Sequence, residues 1–303
     1  MGLRDVSSVE EVLQGLSNQN YLADRGLATA VFLCLRQGRP LLLEGEAGVG
    51  KTELAKSLSS WAEGDLIRLQ CYEGIDSNQA VYEWDYARQL LHLRTAEASG
   101  RTEQVSSSVL EGELYDEKFL IKRPLLQALS ASNEPPPVLL IDEIDRADDE
   151  FEAFLLEILS EYSITIPELG TYSSEVKPIV VITSNRTRDL HDALKRRCFY
   201  HWVEHPEVDR EVEIIRTRAP KVSQLLAEEV AKAASYLRGI DLYKPPGVAE
   251  TIDWAEALVT IGVDDLDANV IDETLGALIK YREDQERIRS RGFDEVLSLV
   301  RQG

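Results

Sequence analysis

Leu41-Leu42-Leu43-Glu44-Gly45-Glu46-Ala47-Gly48-Val49-Gly50-Lys51-Thr52-Glu53-Leu54-Ala55 is the stretch on which the fold turns. Gly45 to Thr52 spell G-x-x-x-x-G-K-T, which by itself is only a candidate phosphate-binding loop. Its flanks decide the reading. The apolar run Leu41 to Leu43 reads as a strand, and Glu53 to Leu58 read as the start of a helix. A strand delivering a glycine-rich turn into a helix N-terminus lets backbone N–H groups converge on an anion. The expectation is a nucleotide phosphate held by Gly45, Glu46, Ala47, Gly48, Val49, Gly50, Lys51, Thr52 and Glu53. Glu46 contributes through its backbone, and the carboxylates of Glu44 and Glu46 are expected to point away.

Composition narrows what surrounds this loop. The chain has 303 residues with a hydrophobic fraction of 44%, a globular composition with room for one large domain or two ordinary ones. Acidic residues number 54 against 33 basic, a net charge of −21. Such a surface argues against a primary role on nucleic acid, which needs a basic footprint. Cys34, Cys71 and Cys198 are isolated, so neither a disulfide framework nor a zinc knuckle is expected, and a reducing cytoplasm is the default. No signal peptide is read in the opening residues, and no apolar run approaches a membrane span.

Along the chain, Val9 to Gln14 reads as a helix closed by Gly15, and Leu22 to Leu35 as a second helix. Leu66 to Gln70 is the next strand, followed by a Trp- and Tyr-rich helix over Ala80 to Arg94 and a polar loop over Thr95 to Ser108. Pro124 opens a helix to Ser130. Val138 to Ile141 is a buried strand ending at Asp142-Glu143, and Phe151 to Ser160 is amphipathic. Ile164 to Ile166 and the chain from Lys177 onward are expected to form a hairpin around Pro167 to Gly170. Pro178 to Thr183 is again apolar almost throughout, as suits a parallel sheet covered on both faces. After Pro206 the pattern is helical. The fold class expected is α/β, a P-loop core with a parallel central sheet flanked by helices over residues 1–205, then an all-α domain over 206–303.

Three further elements carry chemistry. Asp142 at its strand end is placed to hold Mg²⁺ with the Thr52 hydroxyl, and Glu143 to polarise an attacking water. Lys51 would contact the β- and γ-phosphates of ATP. Asn185 ends the strand Val180 to Ser184, where its amide can orient that water. Asp192 to Cys198 follows with Arg196 and Arg197, of which Arg197 is the better candidate for an arginine finger reaching a neighbouring subunit.

In this order the motifs resemble those of an AAA+ ATPase, and specifically the MoxR family. Gly45 to Thr52 match Walker A, Ile141 to Ala147 Walker B, Ser184-Asn185 sensor 1, and Leu194 to Cys198 the finger. Tyr72-Glu73-Gly74-Ile75-Asp76 and Ile166 to Thr171 are similar to the CoxD-like branch. The resemblance implies a hexameric homo-oligomer ring with ATP between subunits and a helical lid over 206–303. It also implies a partner with a von Willebrand factor A domain, and a chaperone-like task in maturing a molybdenum or copper metalloenzyme such as carbon monoxide dehydrogenase. One departure stands out: the lid string Pro245 to Thr251 lacks the Arg of sensor 2, a role Arg146 or another basic residue would have to fill.

Other signals carry less. His201 and His205 are four apart, but on a strand that spacing does not make a metal pair. Tyr82, Trp84 and Tyr86 lie among acids, which favours packing or a protein partner over base stacking. The rival functions are a nucleic-acid-acting AAA+ motor or loader and a nucleotide-dependent scaffold without catalysis.

Overall fold

The computed structural model describes residues 3–99, 107–132 and 134–301. In chain order the first elements are α1 (Val9–Asn18), α2 (Arg25–Gln37), β1 (Leu41–Gly45), α3 (Lys51–Ala62) and β2 (Leu66–Gln70). Next come α4 (Ser77–Val81), β3 (Tyr82–Trp84), α5 (Tyr86–Ala98), α6 (Ser107–Leu114), β4 (Leu120–Lys122) and α7 (Pro124–Leu129). The core continues with β5 (Val138–Asp142), α8 (Asp149–Glu161), β6 (Ser163–Ile166), β7 (Gly170–Ser173), β8 (Ile179–Ser184), α9 (Asp192–Arg197) and β9 (Phe199–Val203). Helices alone follow: α10 (Val208–Arg218), α11 (Gln224–Arg238), α12 (Val248–Thr260), α13 (Ala268–Leu278), α14 (Arg282–Arg291) and α15 (Asp294–Arg301). Among the described residues no helix is long and apolar enough to cross a membrane.

The chain divides into two compact units. One comprises Met1–Val12, Arg25–Leu43 and Ala55–His201. Its five-stranded sheet has the order β2-β5-β8-β1-β9, with β2, β5 and β8 mutually parallel. Every residue of β5 and β8 is buried, the environment that their unbroken apolar runs require. Leu139, Ile141, Val180 and Ile182 share a core with Leu125 and Leu129 of α7 and Leu155 of α8. Each such fully buried aliphatic side chain contributes about 1.5–3 kcal/mol relative to exposure. The register sets Gln70 beside Asp142 and Arg68 beside Leu140, so Arg68 and Gln70 share one face of β2 next to the acidic end of β5.

Three sequence expectations are corrected here. Ala80 to Arg94 is not one helix: Tyr82–Trp84 form a strand antiparallel to Leu120–Lys122. Of the acids among the aromatics, Asp85 starts α5 by accepting from Arg88 N–H, and Glu83 in the strand pairs with Arg123. Trp84 is buried, edge-on to Tyr115 with ring centroids 5.3 Å apart, as packing of an insert predicts, while Tyr86 is exposed. The loop expected over Thr95 to Ser108 is helical at both ends, in α5 and α6, and its residues 100–106 lie outside those described. The hairpin partner of β6 is β7, pairing Ile166 with Gly170, rather than the chain from Lys177. Gly170, at φ +91°, supplies the left-handed residue that closes so tight a turn. A fourth difference is smaller: α1 continues through Gly15 to Asn18, because Val12 and Leu16, four apart, are both fully buried.

The second unit comprises Leu13–Asp24, Glu44–Leu54 and Trp202–Gly303. The helices α10 to α15 enclose Leu226, Val230, Leu258 and Leu275 around Trp254, whose indole donates to Thr274 Oγ1 at 2.8 Å. A buried ion pair ties three helices: Arg238 of α11 donates to both oxygens of Glu211 in α10 at 2.7 and 2.6 Å, and to Thr251 of α12. The same guanidinium reaches Pro246 O, so it fixes the entry of α12. The phosphate-loop segment is packed within this unit. Arg218 of α10 pairs with Glu53 at 2.8 Å, and Ala249 N–H donates to Gly48 O at 3.2 Å.

Candidate active site

The loop of residues 45–52 connects β1 to α3, as the flanking sequence predicts. Gly48 and Gly50 stand at φ +82° and +95°, the left-handed region that turns successive N–H groups toward one concavity. Lys51 is buried, and its ammonium donates to Gly45 O at 2.7 Å and Glu46 O at 2.6 Å, so it is held over the loop's own backbone. An array of N–H donors with a bound ammonium above it fits the phosphates of a nucleotide. The Glu46 carboxylate turns to His205 Nε2 at 3.1 Å, which leaves only its backbone to the loop. Glu53 is likewise taken by Arg218. Glu44 is buried, and its Oε1 has no hydrogen-bond partner among the described residues.

Opposite α3, the first turn of α12 closes on Gly48. A Cβ on Gly247 would lie 2.8 Å from Gly48 Cα and 2.9 Å from Ala47 O. The Glu250 carboxylate caps its own helix through Gly247 N–H at 3.1 Å, and a Cβ on Gly48 would lie 2.8 Å from it. The string Pro245 to Thr251 thus offers the loop backbone and a carboxylate where an Arg was sought.

The acidic cluster stands at the end of β5, in the first unit. Asp142 is 3% exposed. Its Oδ1 accepts from Thr183 Oγ1 at 2.5 Å, and its Oδ2 from Arg68 Nε at 3.0 Å and Nη2 at 2.5 Å. Glu143 adopts φ 55°, ψ 50°, a left-handed conformation uncommon for a non-glycine residue, with its N–H bound to Thr183 Oγ1 at 3.0 Å. That turn aims its carboxylate at three donors: Gln70 Nε2 at 3.1 Å, Arg146 Nε at 2.8 Å and Asn185 Nδ2 at 3.4 Å. Asp142, Glu143 and Asn185 are therefore brought together. The acids also burden Cys71: burial, then the charges of Asp142, Asp145 and Glu143, push its thiol up to about 12.

Sequence reasoning singled out Asp142 and Glu143 but not what holds them. Asp145, buried beside them, accepts from Asn185 N–H at 3.2 Å and from Thr187 N–H and Oγ1 at 2.9 and 2.7 Å. Arg188 continues the loop's anchoring by pairing with buried Glu152 and with Ala147 O. Thr183, Arg68 and Gln70 were missed because their partners are set by strand register; polar Thr183 and Gln70 near the ends of their strands were the available signal, while Arg68 in mid-strand offered none. Arg146 is engaged by Glu143. Arg197 sits apart from this group, donating to Leu156 O at 2.8 Å while Arg39 holds the α9 carbonyls of Arg196 and Arg197. His205 pairs with Glu46 and not with His201. Among the described residues no three His, Cys, Asp or Glu side chains form a ready metal cage. Mg²⁺ suits such a place, since it is bound through one or two carboxylates with water and phosphate oxygens completing the shell.

The chain is similar to several known proteins. Among curated proteins, the uncharacterised protein YehL of Escherichia coli K12 is 26% identical over 203 residues, covering 63% of this chain. The chain spans about half of that relative, 49% of its length. Among solved structures, a candidate ATPase of Cytophaga hutchinsonii is 16% identical, covering 97% of this chain and 94% of that one, with a TM-score of 0.47. The Thermotoga maritima RuvB Holliday junction branch migration motor is 18% identical over 90% of this chain and 70% of its own, with a TM-score of 0.45. The model of the AAA domain, dynein-related subfamily, matches residues 40–198, more than half of the chain and the whole span from β1 to α9. The chain therefore belongs to the dynein-related subfamily of AAA domains, a nucleotide-binding ATPase class.

Proposed function

We propose that this protein hydrolyses ATP with Mg²⁺ at a site formed by Gly45 to Thr52, Asp142, Glu143 and Asn185, completed by Arg197 of a neighbouring copy. The observation that carries this reading is Glu143, held at a strand end by Gln70, Arg146 and Asn185 beside buried Asp142. The backbone of the loop and Lys51 bind the phosphates. Thr52 and Asp142 would hold the metal, which would supply charge neutralisation at the phosphates. Glu143 accepts a proton from the attacking water at its carboxylate, and Asn185 orients that water. Glu143→Gln is expected to retain nucleotide binding and lose about 100-fold or more of phosphate release. Wild-type turnover in that variant would remove Glu143 from the mechanism.

The finer reading follows the motifs. Walker A, Walker B, sensor 1 and finger strings of the MoxR kind, with CoxD-like segments at 72–76 and 166–171, support a MoxR-type machine. In this reading a core over 1–205 and a lid over 206–303 assemble into a cytoplasmic hexameric ring. The ring remodels a client metalloenzyme together with a von Willebrand factor A domain protein. The acidic charge of −21 favours a protein client over DNA. Titrating ATPase activity with duplex DNA and with co-purified protein separates the two: stimulation by DNA alone would favour a motor or loader.

A further inference from the structure

Three polar side chains in the helical core have no step in the proposed chemistry. Glu211 and Thr251 are fully buried, and the Arg238 side chain is 10% accessible. Arg238 Nη1 and Nη2 donate to the two Glu211 oxygens at 2.7 and 2.6 Å. Nη2 also donates to Thr251 Oγ1 at 3.0 Å, and Nε to Pro246 O at 2.8 Å. The Thr251 hydroxyl passes the contact on by donating to Gly247 O at 3.0 Å. Gly247 is where α12 meets the phosphate loop: a Cβ there would lie 2.8 Å from Gly48 Cα. Two residues on, Ala249 N–H donates to Gly48 O at 3.2 Å. Every link of this chain of contacts lies within the second unit. A buried ion pair adds little net stability over an apolar replacement of the same volume. An apolar replacement could not aim hydrogen bonds at Pro246 O and Thr251, whereas the planar guanidinium fork fixes their directions.

We infer that Glu211, Arg238 and Thr251 form a relay that sets how the first turn of α12 bears on Gly48, and so tunes the nucleotide affinity of the loop. The inference rests on the reading of Gly45 to Thr52 as the nucleotide-phosphate site. The three are positioning residues, acting through Gly247 and Ala249. A loop that binds by convergent N–H groups loses aim when its backbone shifts slightly. Thr251 is the most telling member. Valine has its shape but neither accepts from Nη2 nor donates to Gly247 O. Thr251 N–H also reaches Gly247 O at 3.1 Å, so the helical turn itself outlasts loss of the hydroxyl.

The test uses the full chain, titrated at equilibrium with a fluorescent ADP analogue, with a urea midpoint measured for each variant. Thr251→Val is expected to raise the dissociation constant about fivefold, the equivalent of one neutral hydrogen bond. Thr251→Ser keeps the hydroxyl but loses a buried methyl group, which lowers the urea midpoint. Its affinity is nevertheless expected to stay within about twofold of wild type, so binding follows the hydroxyl and not the stability. Arg238→Lys keeps the charge but loses the fork, and should weaken binding about tenfold; it serves if Thr251→Val does not fold. A purely structural tie among α10, α11 and α12 predicts wild-type affinity in every variant that folds, and that result overturns the inference alone. Lys51→Ala tests the underlying reading separately, since it should lose most of its affinity. Wild-type affinity in Lys51→Ala overturns the reading of the loop and the inference with it.

Discussion

Asp145 has no step in the proposed chemistry, yet it anchors the backbone of Asn185. Its two oxygens accept from the backbone of Asn185 and Thr187 and from the Thr187 hydroxyl, so the turn after β8 is tied to the turn after β5. Asp145→Ala removes the acceptor from the part-buried N–H groups of Asn185 and Thr187, at a cost of about 1–3 kcal/mol. The expected outcome is a lower urea midpoint together with slower hydrolysis, because Asn185 loses its anchor. Asp145→Asn keeps one acceptor oxygen and should lose less of both. Circular dichroism during urea titration and phosphate release read the two effects. The left-handed backbone of Glu143 belongs to the same logic. The residue proposed to accept the proton is held in a conformation that Thr183, whose hydroxyl oxygen accepts from Glu143 N–H, helps to maintain.

At the level of elements, the loop between β1 and α3 meets the first turn of α12 glycine to glycine. Gly247→Ala would put a methyl 2.8 Å from Gly48 Cα, forcing the two backbones apart. Nucleotide affinity is expected to fall about tenfold, since small misplacements of a binding loop carry large penalties. Gly48→Ala meets Gly247 Cα at 3.0 Å and must also adopt φ +82°, so it should bind more weakly still. Equilibrium titration with the fluorescent ADP analogue ranks the two variants. Elements of this kind differ in how far sequence reveals them. Strands β5 and β8 were legible because burial on both faces demands unbroken apolar runs, and the loop was legible because its glycines are dictated by backbone shape. Strand β3 was not, since its partner Leu120–Lys122 lies more than thirty residues away and only that pairing selects strand over helix. The Arg68–Asp142 contact joins positions 74 apart, and no local pattern announces it.

Across the whole molecule, function depends on pieces contributed from separate places. Arg197 is anchored to Leu156 O in its own chain, on an exposed helix end, which suits presentation to another copy. If it acts in trans, Arg197→Ala and Lys51→Ala are each inactive, but mixing them under subunit exchange restores part of the turnover. Absence of any recovery, with exchange shown by labelled subunits, would place the finger elsewhere. The division of the chain into two units has a practical side. The segment Glu44–Leu54 packs with Trp202–Gly303, where Arg218 holds Glu53 and the start of α12 covers Gly48. A truncated product ending at residue 205 would still carry every signature from Gly45 to Arg197 and would pass any motif-based search for intact genes. It would nevertheless be a pseudo-enzyme in waiting, with Gly48 and Glu53 stripped of the atoms behind them, so a reading frame can be motif-complete and still site-incomplete.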